Sequence, residues 1–173
     1  MRIVITGANH SLGKDISEFL SDYELICLDG PENYVDTIEN IINDCEVFIN
    51  CGYKDKTQTI LFEKVYKKWI HEKKTIINIL TSALVFGGPN KKYMEDKQDL
   101  ELKTFQLRSA DKEVRIINVY PNTLENTQNA NNQKLKFSDV SKIIKWLIEL
   151  PQDIEIFEIG ISKTRLKIDT NLI

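Results

Sequence analysis

No apolar run in this chain approaches the length of a membrane span, and no basic-then-apolar leader precedes Ile3. The longest apolar runs are strand-sized, so a soluble, cytoplasmic chain is expected. Cysteine is scarce. Cys27, Cys45 and Cys51 are odd in number and match no zinc-ligand spacing, so they are read as free thiols in a reducing compartment, and no metal site is expected. Positive charge is not in excess either: 23 Lys and Arg against 26 Asp and Glu leave a net charge of −3. A basic face is the usual footprint of nucleic-acid binding, so neither nucleic acid nor membrane is expected as a partner. There is no internal repeat and no sign of a second domain. What is present is 173 residues, 42% of them apolar, enough for one domain with a buried core.

Strand-like and helix-like stretches alternate along the chain. Met1–Thr6, Glu24–Leu28, Glu46–Asn50, Thr75–Leu80, Val114–Val119 and Ile154–Ile159 read as short apolar strands, with a stub of a further strand at Asn33–Val35. Helical spacing of apolar residues marks Leu12–Leu20, Thr37–Asn43, Thr57–Glu72, Lys91–Ala110 and Asp139–Leu150, with Asn90 and Ser138 as N-caps of the last two. Ala83–Asn90 and Asn122–Lys136 read as loops. β-branched strands that are apolar on both faces imply a mostly parallel sheet of six or seven strands with helices on both sides, an α/β Rossmann-type domain.

Three local patterns carry chemistry. Ile3-Val4-Ile5 runs into Thr6-Gly7-Ala8-Asn9-His10-Ser11-Leu12-Gly13, a strand breaking into a glycine turn and a helix. Such a turn aims free backbone N–H groups at one point, which suits a diphosphate. Asp29 ends the second strand, where a carboxylate accepts hydrogen bonds from ribose hydroxyls and repels a 2′-phosphate; this favours NAD, while His10, a basic residue in the turn, keeps NADP open. Tyr93 and Lys97 lie four residues apart, on one helix face, where an ammonium beside a phenol is expected to lower the phenol's pKa. Thr81 and Ser82 end the fifth strand, where a hydroxyl can donate to a substrate carbonyl.

The order of these pieces, together with Asn50-Cys51-Gly52 and Pro121-Asn122, resembles the short-chain dehydrogenase/reductase family over essentially the whole chain. The resemblance implies a nicotinamide-dependent oxidoreductase transferring hydride between NAD or NADP and a small carbonyl or alcohol. Tyr93 would be the general acid/base, and Lys97 its modulator and a holder of the nicotinamide ribose. Thr81 would orient the carbonyl, with Ser82 the alternate. Gly7, Asn9, His10, Ser11, Leu12, Gly13, Asp29, Asn50, Cys51, Gly52 and Pro121 would bind the cofactor. It also implies a homodimer or homotetramer through the two long helices, where Phe62, Trp69, Phe105 and Leu107 are either contacts or core. The chain departs from the family pattern at Ser11, which stands where a glycine is usual. It has no counterpart of the family's asparagine within Thr57–Glu72, and its loop after Pro121 is short, implying a shallow pocket. These departures leave open a catalytically degenerate nucleotide-binding sensor or interaction module on the same fold.

Overall fold

The computed structural model describes residues 1–87, 90–108, 111–127 and 134–163. In chain order the elements are β1 (Arg2–Thr6), α1 (Ser11–Phe19), β2 (Glu24–Leu28), a 3-10 turn (Pro31–Tyr34), α2 (Ile38–Ile41), β3 (Val47–Asn50), α3 (Thr57–Trp69), β4 (Thr75–Ile79), α4 (Ala83–Phe86), α5 (Lys91–Arg108), β5 (Arg115–Pro121), α6 (Phe137–Glu149) and β6 (Glu158–Ile161). Among the described residues the sheet has six strands, ordered β2-β1-β3-β4-β5-β6 and parallel throughout. This is the α/β Rossmann-type arrangement that the alternating pattern predicts.

Strand pleating sorts the apolar side chains into two cores. Ile3 and Ile5, Val47 and Ile49, Ile77 and Ile79, and Ile117 and Val119 face α1 and α6. The intervening Val4, Phe48, Ile76 and Ile116 face α2, α3 and α5. Both faces of the central strands β3, β4 and β5 are covered, which is why they are buried along their whole length, whereas the edge strands β2 and β6 are partly exposed. Trp69 and Phe62 are fully buried in the second core, whereas Phe105 is 70% exposed; the first two are therefore core and not surface contacts.

Several expectations shift. The stub strand at Asn33–Val35 is replaced by the 3-10 turn. Gly30 adopts a left-handed φ of 62° and Pro31 follows it at the first turn position, a pair that curls the chain where a strand would need it extended. Asn33 N then donates to Gly30 O at 2.9 Å. Ser138 lies inside α6 rather than capping it. The helix is entered two residues earlier, with Lys136 N donating to the Asp139 carboxylate at 3.2 Å and Phe137 N to Glu125 at 2.8 Å. The loop at Ala83–Asn90 contains the single-turn α4, while Asn90 does cap α5, its Oδ1 accepting from Tyr93 N at 3.0 Å.

The last strand begins at Glu158 rather than Ile154, and Arg115 supplies the reason. Its guanidinium is 3% exposed and has no carboxylate within bonding range among the described residues. It donates instead to the carbonyls of Leu147, Leu150, Pro151 and Ile154 at 3.1–3.3 Å, and to Thr75 Oγ1 at 3.2 Å. The cation thus satisfies the open carbonyls at the C-terminus of α6, where the helix dipole also favours it. The carbonyls of Leu150, Pro151 and Ile154 are turned to this clamp, and pairing with β5 starts only at Phe157, whose carbonyl accepts from Asn118 N at 2.9 Å.

Replacing Arg115 by Met leaves those buried carbonyls without their donor. A loss of about 2–4 kcal/mol in unfolding free energy is expected, measured by urea denaturation. A loss below about 1 kcal/mol contradicts the clamp.

Candidate functional site

The sheet order reverses at β1: the chain leaves β2 on one side and crosses to β3 on the other. A crevice opens outside the carboxyl ends of the strands at such a switch point. Here it is shaped by close approaches between main chains. Gly7 has φ 69°, and a Cβ placed on it would lie 2.6 Å from Gly52 Cα. A Cβ on Gly13 would lie 2.1 Å from Gly7 O. Thr6 locks the same junction from below, its Oγ1 accepting from the backbone N–H groups of Cys51 and Gly52, both at 3.0 Å. The first turn of α1 is thereby pressed onto the end of β1, with its N-terminus at the crevice and no side chain capping it. Ser11 adopts φ 44°, a left-handed conformation in which a side chain is strained. Its Oγ accepts a hydrogen bond from Asn126 at 3.3 Å, joining the turn to the loop that follows β5.

The resulting cleft has a volume of about 940 Å³. Of the residues singled out in the sequence, Gly7, His10, Ser11, Leu12, Gly13, Asp29, Cys51, Gly52, Thr81, Ser82, Tyr93, Lys97 and Pro121 line it. Two do not. Asn9 is exposed on the turn but off the cleft. Asn50 is fully buried behind it: its Nδ2 donates to Gln58 O at 2.9 Å and to Asn78 Oδ1 at 3.1 Å, bonds that hold it in the sheet.

At the β4 end of the cleft, Lys97 is 3% exposed. Its Nζ donates to Gln58 Oε1 and to Ile79 O, each at 2.6 Å, and it lies 5.5 Å from the Tyr93 ring centroid and 5.7 Å from that of Tyr53. Two ammonium protons are committed to carbonyl oxygens, leaving one for the cleft. Tyr53 stacks edge-on against Tyr93, centroids 4.8 Å apart, and its hydroxyl donates to Asp96 at 2.9 Å. Tyr93 is therefore flanked by an aromatic wall on one side, and the Thr81 side chain is near enough to its phenol to pull its pKa down. Ser82 spends its hydroxyl on Asn122 Oδ1 at 3.1 Å, which leaves Thr81 the better placed of the two.

Electrostatics at this end are governed by burial. The Lys97 ammonium is pulled down to about 8 and the Cys51 thiol pushed up to about 11, both because the cleft wall desolvates the charged form. Tyr93 is raised rather than lowered: desolvation outweighs the Thr81 hydrogen bond, which pulls the other way. The net lowering expected from the Tyr93–Lys97 spacing is not met, because burial of the phenol is the largest influence on it, although the Lys97 ammonium lies 5.5 Å from the ring centroid.

Gln58 and Tyr53 were not singled out in the sequence. Gln58 was legible as an anomaly: it shares the helical stripe of Phe62, Val65 and Trp69, all core residues, and an amide in such a stripe must be satisfied inside. Tyr53 carries no such signal, lying in the segment between β3 and α3.

No protein-family model matches the chain, and no curated protein is similar to it in sequence. Solved structures share its fold over nearly its whole length. A serine dehydrogenase from Escherichia coli superposes with a TM-score of 0.72 at 15% identity, covering 94% of this chain and 98% of that one. A short-chain dehydrogenase/reductase from Vibrio parahaemolyticus gives 0.69 at 13% identity, covering 94% and 99%. An alcohol dehydrogenase from the archaeon Thermococcus sibiricus, complexed with 5-hydroxy-NADP, gives 0.68 at 13% identity, covering 93% and 95%.

A lysine whose folded value is lowered holds fewer protons in the folded than in the unfolded chain, so stability rises with pH between about 8 and the ordinary 10.5. Wild type is expected to gain about 2 kcal/mol relative to Lys97→Met between about pH 7 and about pH 10, measured by urea unfolding at each. A constant difference contradicts a buried, charged Lys97.

Proposed function

We propose that this chain is an NAD(P)-dependent oxidoreductase that interconverts a small carbonyl compound and its alcohol. One observation carries the reading: Tyr93, Lys97 and Thr81 meet at one end of a cleft whose other end is the glycine turn at the N-terminus of α1. The fold shared with solved dehydrogenases, one of them bound to a nicotinamide dinucleotide, supports it. So does the fit of the donor set. The first turn of α1 lines the cleft and has no side-chain cap, so its main-chain N–H groups suit a diphosphate, and Asp29 offers a carboxylate to ribose hydroxyls. When bound, the dinucleotide supplies the hydride equivalent.

The protein's own residues handle the proton. Tyr93, kept protonated by burial, donates its phenolic proton to the carbonyl oxygen as the alcohol forms and takes it back in reverse. Thr81 donates its hydroxyl hydrogen to the same oxygen and so orients the carbonyl. Lys97 places a positive charge beneath the Tyr93 ring and stabilises the phenolate left after transfer. Its position is set by Gln58 and Ile79 O, not by a carboxylate. Gln58 thereby takes on the holding task for which the sequence offers no asparagine.

A second reading is a nucleotide-binding sensor that has lost turnover. It is favoured by Ser11, a side chain at φ 44° in the turn where a diphosphate must approach.

Tyr93→Phe is expected to lower turnover of the best substrate from a carbonyl and alcohol screen by about 10²–10⁴-fold. NADH affinity should stay within about threefold, since a lost phenol hydroxyl is the sole change. Unchanged turnover overturns the role of Tyr93. Dinucleotide binding without turnover across the screen favours the sensor.

A further inference from the structure

Tyr53 lies in the segment between β3 and α3, and its side chain is held at both ends. At its base, the preceding Gly52 is fixed by the Thr6 hydroxyl, which accepts from Gly52 N at 3.0 Å, and by the close approach of Gly52 to Gly7. At its tip, the Tyr53 hydroxyl donates to Asp96 Oδ2 at 2.9 Å. Asp96 is 6% exposed, and a buried carboxylate is costly unless it is paired and hydrogen-bonded. Among the described residues its side-chain partners are Tyr53 and Lys92, the latter at 3.3 Å, so losing the Tyr53 hydroxyl carries a penalty. Lys92 also pairs with Asp55, which ties the same segment to α5 a second time.

The ring pinned in this way meets the proton-handling residues directly. Its centroid is 4.8 Å from that of Tyr93, with the planes at 78°, the edge-to-face arrangement that aromatic pairs prefer. Lys97 Nζ lies 5.7 Å from the Tyr53 ring and 5.5 Å from the Tyr93 ring, within reach of both. Tyr53 is 39% exposed and Lys97 3% exposed, so the Tyr53 ring turns one side to water and the other to the buried ammonium.

We propose that Tyr53 is a positioning residue for the reaction: clamped between Gly52 and Asp96, its ring holds the Tyr93 side chain in the orientation from which the phenol reaches a substrate carbonyl. The inference rests on the oxidoreductase reading above. Tyr53 acts through Tyr93 and moves no proton itself. Its hydroxyl is committed to Asp96, and burial together with that bond pushes its pKa above the ordinary phenol value. With the ring removed, Tyr93 has room to swing toward the segment after β3, and the phenol leaves its alignment with the carbonyl. A misplacement of about 1 Å at a reacting group costs on the order of 10²-fold in rate. The glycine turn at the other end of the cleft keeps its contacts, so dinucleotide binding is little affected.

The test compares wild type with Tyr53→Ala, Tyr53→Leu and Tyr53→Phe in NADH-dependent reduction of the best substrate from the carbonyl screen. Turnover is counted per NADH-binding chain, titrated by the fluorescence of the reduced nicotinamide, so that a misfolded fraction does not register as lost activity. Tyr53→Ala and Tyr53→Leu, the second filling more of the space without an aromatic edge, are expected to lower kcat by about 10–10²-fold. KM and the NADH dissociation constant should stay within about threefold in both, since the loss lies in alignment and not in binding. Tyr53→Phe keeps the ring and gives up the bond to Asp96, and is expected to recover kcat to within about fivefold of wild type. Wild-type kcat in either variant without the ring overturns the proposal. A Phe variant as slow as Ala does so too, because the ring is then not what acts, and a loss confined to KM makes Tyr53 a substrate contact instead. Wild type that binds NADH and reduces no carbonyl in the screen overturns the oxidoreductase reading, and this proposal with it, and is recognisable as that different result before any variant is compared.

Discussion

Main chain meets main chain where β1, β3 and α1 converge, and the rest of the site depends on that contact. Gly7, Gly13 and Gly52 leave no room for a Cβ between them. Because they are bare, α1 starts directly on the end of β1, and the β3 end lies alongside at the distance Thr6 bridges. The crevice, the uncapped first turn of α1 and the placement of Asp29 beside His10 all follow from this junction. Ser11 is the one residue of the turn that sits against this economy of side chains: it pays conformational strain where glycine would not, and uses its hydroxyl to hold the loop carrying Asn126.

A second constraint is polar and buried. Asn50, Asn78 and Asn118 occupy matching registers on β3, β4 and β5 and hydrogen-bond across the sheet. Gln58 joins this seam to Lys97, its Nε2 donating to Asn50 O at 2.8 Å while its Oε1 accepts from the ammonium. Thr104 on α5 closes the far side, its hydroxyl accepting from Asn78 at 3.5 Å. Amides buried in this way resist displacement, because each lost partner exposes a desolvated polar group. The seam therefore fixes Lys97, and with it the edge of the cleft where Tyr93 and Thr81 stand.

Much of this was legible in the sequence because it is local. Apolar runs mark the strands, helical spacing marks α1, α3, α5 and α6, and the glycine turn marks the crevice. The misreadings share a different cause, in that each depends on a partner far along the chain. The last strand is displaced because Arg115 claims the carbonyls before it. Ser138 loses the cap to Asp139 and Glu125. Asn50, adjacent to two cleft residues, turns inward because Asn78 and Gln58 wait there. The pKa of Tyr93 moves opposite to expectation because desolvation by the surrounding wall is invisible in a four-residue spacing.

The geometry thus joins the uncapped N-terminus of α1 to a buried end of the cleft where Tyr93 stands against Tyr53, with the Lys97 ammonium over its ring. The oxidoreductase proposed above requires a bound nicotinamide dinucleotide. The most direct test is calorimetric titration of the purified chain with NADH and with NADPH. The account predicts saturable binding of at least one of them with one site per chain, lost when ADP-ribose is present in excess as a competitor. Absence of binding by either at millimolar concentration would contradict it.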